Sequence, residues 1–294
     1  MLFLLQAIII GMVKGAVYVI IALSMIIIYK SSQVFNFAAG EFCTMGAAFY
    51  FAAYSLGLPF YLLLPVFLLF VVIGSGLIEK ILIEPLMGRE PFSAVMVTIG
   101  LSIFLIGLFQ VTMGTTGDNV VVNLPDLTFE AGSLFFTSEQ VWSSILAVGS
   151  IATLMLFYRF TRWGIIMRAT AEGQVKAMAF GINTRFTLTL TWVISSIVAA
   201  IGGVLVAWTG TLTYNMGIVG FVAIPVVLVA GLESIGGCIL GGLMVGVVES
   251  LTTFYLEPAI GLEGFRGVTP YLFLLLVLMI RPTGLFGQVE IERV

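Results

Sequence analysis

The chain contains no histidine and only two cysteines among 294 residues, and charged residues make up just 9% of it. Without histidine, the commonest general base and metal ligand are both missing. Cys43 and Cys238 lie far apart inside apolar runs, so neither a disulfide nor a metal site is expected. The 12 basic residues form no cluster suited to a phosphate backbone. These shortages argue against an enzyme, a metalloprotein and a nucleic-acid-binding protein.

What the chain has in excess is apolar sequence, which accounts for 60% of the residues. A soluble domain would carry roughly a quarter charged residues, so we predict an integral membrane protein. The expected fold is all-α, a polytopic membrane helix bundle of about eight spans within one domain over residues 1–294. A shorter run, Val219–Gly231, is expected to be a half-helix or re-entrant arm. The predicted spans are Leu5–Tyr29, Phe35–Ser55, Tyr61–Leu82, Ser93–Met113, Val141–Tyr158, Phe186–Trp208, Ile235–Phe254 and Gly267–Ile280.

Basic residues collect at alternate ends of these runs, and cytoplasmic loops are enriched in lysine and arginine. The ends concerned carry Lys30, Lys80, Arg89, the segment Arg159–Arg185, Arg281 and Arg293. The loop 114–140 on the other side has no basic residue, but it has Asp118, Asp126, Glu130 and Glu139. We therefore predict an external N-terminus and a cytoplasmic C-terminus, with 219–254 dipping in from outside and returning.

Two apolar runs are interrupted by polar and small residues. Asn36, Gly40 and Glu41 open the second span, and Glu233 and Ser234 precede the seventh. Irregular backbone at membrane depth survives only where protein buries it or where it lines a watery path, so these five residues are pathway candidates. Both glutamates could instead cap helices at the interface, where the helix dipole favours a carboxylate.

Lys14 is a further pathway candidate because it lies inside the first apolar run, between two glycines. Its ammonium group could face the pathway and attract an anionic group of a solute. It could instead extend along the helix to reach the lipid headgroups. The sequence leaves both alternatives open.

The stretch Arg159–Arg185, called here the basic segment, is the one long charge-rich stretch, and we predict a single helix within 161–181. On such a helix, residues four apart share a face. One predicted face is charged, and the neighbouring face consists of small residues that would allow another surface to approach closely. That small face could dock a partner or pack on the protein itself. The charged face is Arg168, Glu172 and Lys176, and the small face is Ala169, Gly173, Ala177 and Gly181.

Several motifs, in order along nearly the whole chain, resemble the permease family of branched-chain amino-acid ABC importers. The basic segment contributes Ala171-Glu172 and, further on, Ala177-x-x-x-Gly181, which are similar to the family's coupling motif. Gly173 stands where the family commonly has a second acidic residue. The other matching stretches are Asn36–Glu41, Arg89–Ser102, Gly231–Gly246 and Arg281–Gly287.

The resemblance implies a permease that moves a small polar solute inward by ATP-driven alternating access in a bacterial or archaeal cytoplasmic membrane. A branched-chain or other amino acid is the leading solute; urea, short amides and organic acids remain alternatives. The implied partners are a second homologous permease, two cytoplasmic ATPases and an external substrate-binding protein. The ATPases would grip a coupling loop at about 159–185 through Arg168, Glu172, Gly173, Ala177 and Gly181. Their motion would pass into the adjoining fifth and sixth spans.

The residues themselves also support a permease chain that relies on separate ATPase subunits. The chain has no Gly-x-x-x-x-Gly-Lys-Ser/Thr phosphate loop, so any ATP would be bound by partner subunits, and no cofactor or metal is expected in this chain. The competing hypothesis is an ion-coupled secondary transporter or channel. It would use Glu41, Glu233 or Glu249 as proton or cation sites within the membrane.

Overall fold

The computed structural model describes residues 2–86, 90–114, 128–131, 134–210, 212–261 and 264–287. Of the residues used to predict orientation, Arg89, Asp118, Asp126 and Arg293 lie outside these ranges. The predicted all-α membrane bundle is confirmed in the described part. Its one strand pair is a short antiparallel hairpin with three residues in each strand.

Six of the helices have the length and apolar composition needed to cross a bilayer, and the other apolar helices are shorter. The elements are α1 (Leu2–Ser32), α2 (Ala39–Ser55), α3 (Phe60–Ile78), α4 (Pro91–Met113), β1 (Phe129–Ala131), β2 (Leu134–Phe136), α5 (Ser138–Phe160), α6 (Arg162–Ala171), α7 (Gln174–Ala179), α8 (Thr184–Thr209), α9 (Ile218–Ala230), α10 (Ile235–Leu251), α11 (Glu257–Ile260) and α12 (Thr269–Ile280). A π turn (Glu79–Ile83) and a 3₁₀ turn (Glu84–Leu86) prolong α3, and a second π turn (Thr252–Leu256) joins α10 to α11.

Helix α1 lies at the centre of the bundle and packs closely along α10. A Cβ on Gly11 or Gly15 of α1 would meet the backbone of α10 within 3 Å, at Val247 and Gly242 respectively. Small residues allow such close approach, which maximises van der Waals contact between helices in lipid. Glycines of both helices therefore allow α1 and α10 to pack closely.

A second close contact joins α8 to α1 and α2. The Ser195 hydroxyl donates to the Ser24 carbonyl of α1 at 2.7 Å, and both residues are buried. On the α2 side, Gly203 lies against the backbone of Cys43, and Gly46 lies against Ala200. Helices α3, α4 and α5 lie outside this core and expose many apolar side chains, as expected of surfaces that meet lipid or another membrane subunit.

The contacts also fix the relative directions of the helices. Along α1 and α10, Ala7 pairs with Ser250 and Lys30 approaches the Glu233 carbonyl, so the two helices are antiparallel. We call the end where α1 finishes the Lys30 end. Helix α9 runs toward this end and α10 runs back from it, as predicted for an arm that dips in and returns.

The basic segment differs from its prediction because it forms two helices, α6 and α7, rather than one. The break is at Gly173, whose φ of 158° and ψ of 112° are not helical. The stripes four residues apart that the sequence suggested are therefore interrupted between Glu172 and Lys176. Glycine permits the break because its backbone reaches conformations that side chains disfavour.

Candidate functional site

The chain is not helical between α1 and α2, and this break places Asn36 inside the bundle. Asn36 is almost fully buried, and its side-chain oxygen accepts a hydrogen bond from the Ala38 backbone N–H at 3.0 Å. The turn thus gives a partner to a free backbone N–H at the start of α2. The side chain of Ala38 has no acceptor atom that could do so. The next contact is on α4, where the Phe37 backbone N–H donates to the Thr98 hydroxyl at 3.3 Å.

Glu41 lies in the first turn of α2 and is only 4% exposed. Its carboxylate interacts with the side chain of Ser102, which lies at the middle of the 23-residue α4. Since α4 is long enough to cross the membrane, the Glu41 carboxylate lies near the middle of the bilayer. Ionisable groups at that depth are costly to bury and are usually retained for function.

A second break meets the first at this point, between α8 and α9. Gly217 is the residue before α9, and a Cβ there would overlap the Glu41 carboxylate. Gly40 and Gly220 touch through their backbones, because a Cβ on Gly220 would come within 2.6 Å of the Gly40 Cα. The glycines thus bring the N-terminal ends of α2 and α9 together around one carboxylate.

This arrangement has a definite chemistry. Each helix start carries a partial positive charge from backbone N–H groups that point along the axis. Here two starts face the enclosed Glu41 carboxylate, and their partial charges offset part of the cost of burying it. Broken helices whose N-termini meet near the midplane are typical of solute sites in transporters.

The structure separates the predicted Glu233 and Ser234 from this site. They form the turn between α9 and α10 at the Lys30 end, where Glu233 is exposed and its carbonyl lies 3.5 Å from the Lys30 ammonium. The Ser234 hydroxyl accepts from the Gly237 N–H at 3.0 Å and so caps α10. The backbone beside this turn packs on residues 284–287. The structure therefore does not bring the two glutamate breaks together, and Glu233 lies exposed at the Lys30 end.

Lys14 neither extends alone to the headgroups nor joins the Glu41 site. Its ammonium lies 3.7 Å from a Glu249 oxygen, and the Tyr18 hydroxyl donates to the other oxygen at 2.7 Å. Glu249 is itself buried, at 8% exposure. The signal available in the sequence was the spacing of Lys14 and Tyr18, which puts both on one face of α1.

Sequence reasoning also missed Gly217, Ser102 and Thr98 as parts of the Glu41 site. Thr98 and Ser102 lie four residues apart on α4, so they face the same direction. No pattern within α4 indicated that this face meets the start of α2. Gly217 lies just before a run that was expected to be a half-helix, but nothing local linked it to Glu41.

The basic segment turns different residues outward from those predicted for docking. Ala177 is buried at 2% exposure, so the small face packs on the protein at this position. Arg168 is partly buried and donates to the Arg159 carbonyl at 3.2 Å, whereas Glu172 is exposed at the end of α6. The exposed apolar side chains of this region are instead Val175, Met178 and Phe180.

Gly181 lies just after the C-terminal end of α7. Its φ is 78°, a left-handed conformation that favours glycine. Two hydrogen bonds close the helix end: the Gly181 N–H donates to Met178 at 2.9 Å, and the Ile182 N–H donates to Ala177 at 3.1 Å. This pattern caps the last carbonyl groups of a helix. Gly181 therefore has a structural role at this corner of the basic segment.

A bundle of membrane-length helices, two breaks that meet around a buried carboxylate, and a pair of short helices at one end together define a membrane transport permease. Comparison with known families agrees. Residues 7–280 match the family described as branched-chain amino acid transport system / permease component, and the chain belongs to this family. It is thus a permease component, not a catalytic subunit.

Individual relatives match along the whole chain. LivH of Salmonella typhimurium, a high-affinity branched-chain amino acid transport system permease protein, is 31% identical over 100% of this chain and 98% of its own length. BraD of Pseudomonas aeruginosa, which carries the same description, is 28% identical over 99% of this chain and 98% of its own. Among solved structures, PsaBC from Streptococcus pneumoniae in complex with Fab has a TM-score of 0.50 and 16% identity, covering 95% of this chain and 91% of that chain. At this identity the likeness concerns the fold alone.

Proposed function

We propose that this chain carries a branched-chain amino acid inward past Glu41 by alternating access, driven by ATP that partner subunits bind. The observation that carries the proposal is the enclosed Glu41 carboxylate at the meeting point of α2 and α9. An acid buried at mid-membrane depth is costly, and such acids are usually retained for function. The names of the full-length relatives supply the solute class.

The proposed binding geometry follows from the charges of the site. The ammonium group of an amino acid would pair with Glu41. Its carboxylate would take the partial positive charge at the start of α9, beside Gly217. Phe35 and Phe37, whose rings lie 5.3 Å apart in the same break, provide apolar surface for a branched side chain. The site would therefore prefer a small zwitterion with an apolar side chain over urea or an organic acid.

The Lys30 end is proposed to be cytoplasmic, which places the N-terminus outside. Lys30, Lys80 and the basic segment lie toward that end, in agreement with the enrichment of basic residues in cytoplasmic loops. Helix α7 presents Val175 and Met178 there, and Phe180 follows directly after its end; their exposed fractions are 77%, 52% and 87%. Exposed apolar side chains clustered on one short helix mark an interaction surface. We assign this surface, called the α7 face, to a cytoplasmic ATPase.

The remaining parts of the proposed machine follow from this assignment. Two ATPases bind and hydrolyse ATP, and the permease chain needs no cofactor or metal of its own. An external substrate-binding protein delivers the amino acid at the opposite end. A second, homologous permease covers part of the exposed apolar surface of α3, α4 and α5, and residues 1–294 act as one permease domain in a bacterial or archaeal inner membrane.

Reconstitution tests this proposal. The chain is co-purified with its partner subunits, placed in liposomes, and supplied with radiolabelled leucine and the binding protein. Uptake is expected to require ATP on the side of the α7 face and to be unchanged by ionophores that collapse proton and sodium gradients. Unlabelled isoleucine and valine should compete, whereas urea and benzoate should not. Uptake without ATP that follows an ion gradient would instead establish a secondary transporter.

A further inference from the structure

Helix α7 is bonded directly to the end of α1. The Gln174 side-chain amide, at the first residue of α7, donates to the Ser31 carbonyl at 3.1 Å. Ser31 belongs to the last turn of α1, where carbonyl groups lack partners within the helix. The Ser31 residue is buried at 3% exposure, so loss of this donor would remove a partner from a largely buried end of α1. The contact therefore ties the ATPase-facing helix to the end of the central helix.

The chain turns sharply immediately after this contact. Gln33 has a φ of 55°, and it is the one residue other than glycine with a positive φ in the described ranges. Its N–H donates to the Tyr29 carbonyl at 2.7 Å, and the Val34 N–H donates to the Ser32 hydroxyl at 3.3 Å. A glutamine in this conformation is strained and persists because its surroundings hold it there. We call Ser31–Phe37 the α1–α2 joint.

The α1–α2 joint continues into the Glu41 site through a series of direct contacts. The Phe35 ring lies 6.3 Å from that of Tyr29 and 5.3 Å from that of Phe37. The Thr98 hydroxyl of α4 accepts from the Phe37 N–H at 3.3 Å and lies 3.5 Å from the Phe35 carbonyl. Asn36 then sets the turn that starts α2, which carries Glu41 in its first turn. A displacement of Ser31 thus reaches Glu41 through packed and hydrogen-bonded groups.

We infer that Gln174 is a positioning residue that couples the ATPase to the solute site through the α1–α2 joint. This inference rests on the proposed function and names the route by which nucleotide binding would move the site. In this account α7 and the end of α1 move as one body, and the movement rotates Asn36–Glu41 relative to α4 and α9. The route differs from the one expected from the sequence, which ran through the spans on either side of the basic segment.

The distinguishing variant is Gln174→Glu in the complete reconstituted complex. Glutamate has nearly the same shape but lacks the amide donor, and its carboxylate would repel the Ser31 carbonyl. Leucine uptake is expected to fall on the order of tenfold, while the ATPase rate stays within about twofold of the parent. Gln174→Lys supplies a donor again and should restore at least half of the uptake. Lys176→Gln, on the exposed side of the same helix, serves as the control and should leave both rates unchanged.

A double-mutant cycle with Thr98→Val tests whether both residues act on one route. If they do, the double variant Gln174→Glu/Thr98→Val should take up leucine at least as fast as the single variant with the lower uptake. The reason is that one lost contact already interrupts the route from α7 to Glu41. Multiplied losses would overturn the inference, as would a Gln174→Glu complex that behaves like Lys176→Gln or that loses its ATPase subunits. Failure of the parent complex to take up leucine with ATP would count against the proposed function itself, and the coupling route would fall with it.

Discussion

Two breaks in the helical bundle carry a glutamate each, yet they differ in what surrounds the carboxylate. Glu41 is enclosed at mid-depth by α4 and by the start of α9, whereas Glu233 is exposed in the turn between α9 and α10. The residues beside them are alike, since glycines and small polar residues flank both. What separates them is a further break, between α8 and α9 at Gly217, which meets the break that carries Glu41. The contacts described around Glu233 include no such neighbouring break.

The difference shows that an acidic residue in an apolar sequence acquires a function from its neighbours in space. At Glu233 water solvates the charge, and the break costs little. At Glu41 the protein must replace that water with Ser102 and with the partial charges of helix starts. A group held in this way responds to any movement of α2 against α9. The comparison therefore predicts large effects at the enclosed break and small ones at the exposed break.

The largest effect is expected from the matched substitutions Gly217→Ala and Gly236→Ala. Both glycines have ordinary backbone conformations, but a Cβ at Gly217 would overlap the Glu41 carboxylate, whereas a Cβ at Gly236 meets nothing within 4 Å. Gly217→Ala should reduce ATP-dependent leucine uptake to a few per cent of the parent, on the scale of a ~2 kcal/mol overpacking penalty. Gly236→Ala should retain full uptake. Equal uptake by the two variants would contradict the comparison.

The next prediction compares the two glutamates directly. Glu41→Gln removes the charge proposed to bind the ammonium group, and uptake should fall roughly tenfold with an increase in the apparent KM for leucine. Glu233→Gln should stay within about twofold of the parent, because that side chain is solvated. Both variants should be present in the membrane in equal amounts by immunoblot. A Glu41→Gln protein with unchanged uptake and KM would remove Glu41 from the solute site.

The sequence was sufficient to predict the class of fold and the first break. Apolar runs of membrane length and an Asn-Gly-Glu interruption are local signals, and both appear in the structure near the expected residues. The sequence was not sufficient to predict which residues of the chain contact Glu41. Which face of α4 meets Glu41, and which break meets the first, depend on packing between residues about 60 and 180 positions apart, for which one sequence holds no pattern. The single helix predicted within 161–181 failed for a different reason: small residues four apart suggested one continuous face, while Gly173 allowed a break.

A third prediction concerns another enclosed carboxylate, that of Glu249. Lys14→Met leaves Glu249 with the Tyr18 hydroxyl alone, and an uncompensated buried charge destabilises a protein. We expect the melting temperature of the detergent-purified complex to fall by several degrees. Adding Glu249→Gln should recover most of the loss, because no buried charge then remains. If the double variant is less stable than Lys14→Met, the ion pair is not what stabilises this contact.

The smallest effect is expected at an exposed ion pair, Arg185 with Glu84, whose charged groups lie 3.9 Å apart. Arg185 is 79% exposed at its side chain, so water and salt screen the attraction. Glu84→Gln should change the free energy of unfolding by less than ~0.5 kcal/mol and should leave uptake within error of the parent. A loss of stability as large as that of Lys14→Met would show that solvent exposure does not explain the difference between this ion pair and the pair of Lys14 with Glu249.

The most direct test of the account is whether the Glu41 site opens to opposite sides of the membrane in turn. Ser102→Cys, in a chain whose Cys43 and Cys238 are replaced by alanine, places a thiol beside Glu41. The account predicts that a membrane-impermeant thiol reagent labels this cysteine from one side in the nucleotide-free complex and from the other side when ATP hydrolysis is blocked. Labelling from the same side in both states, or from neither side, would contradict it.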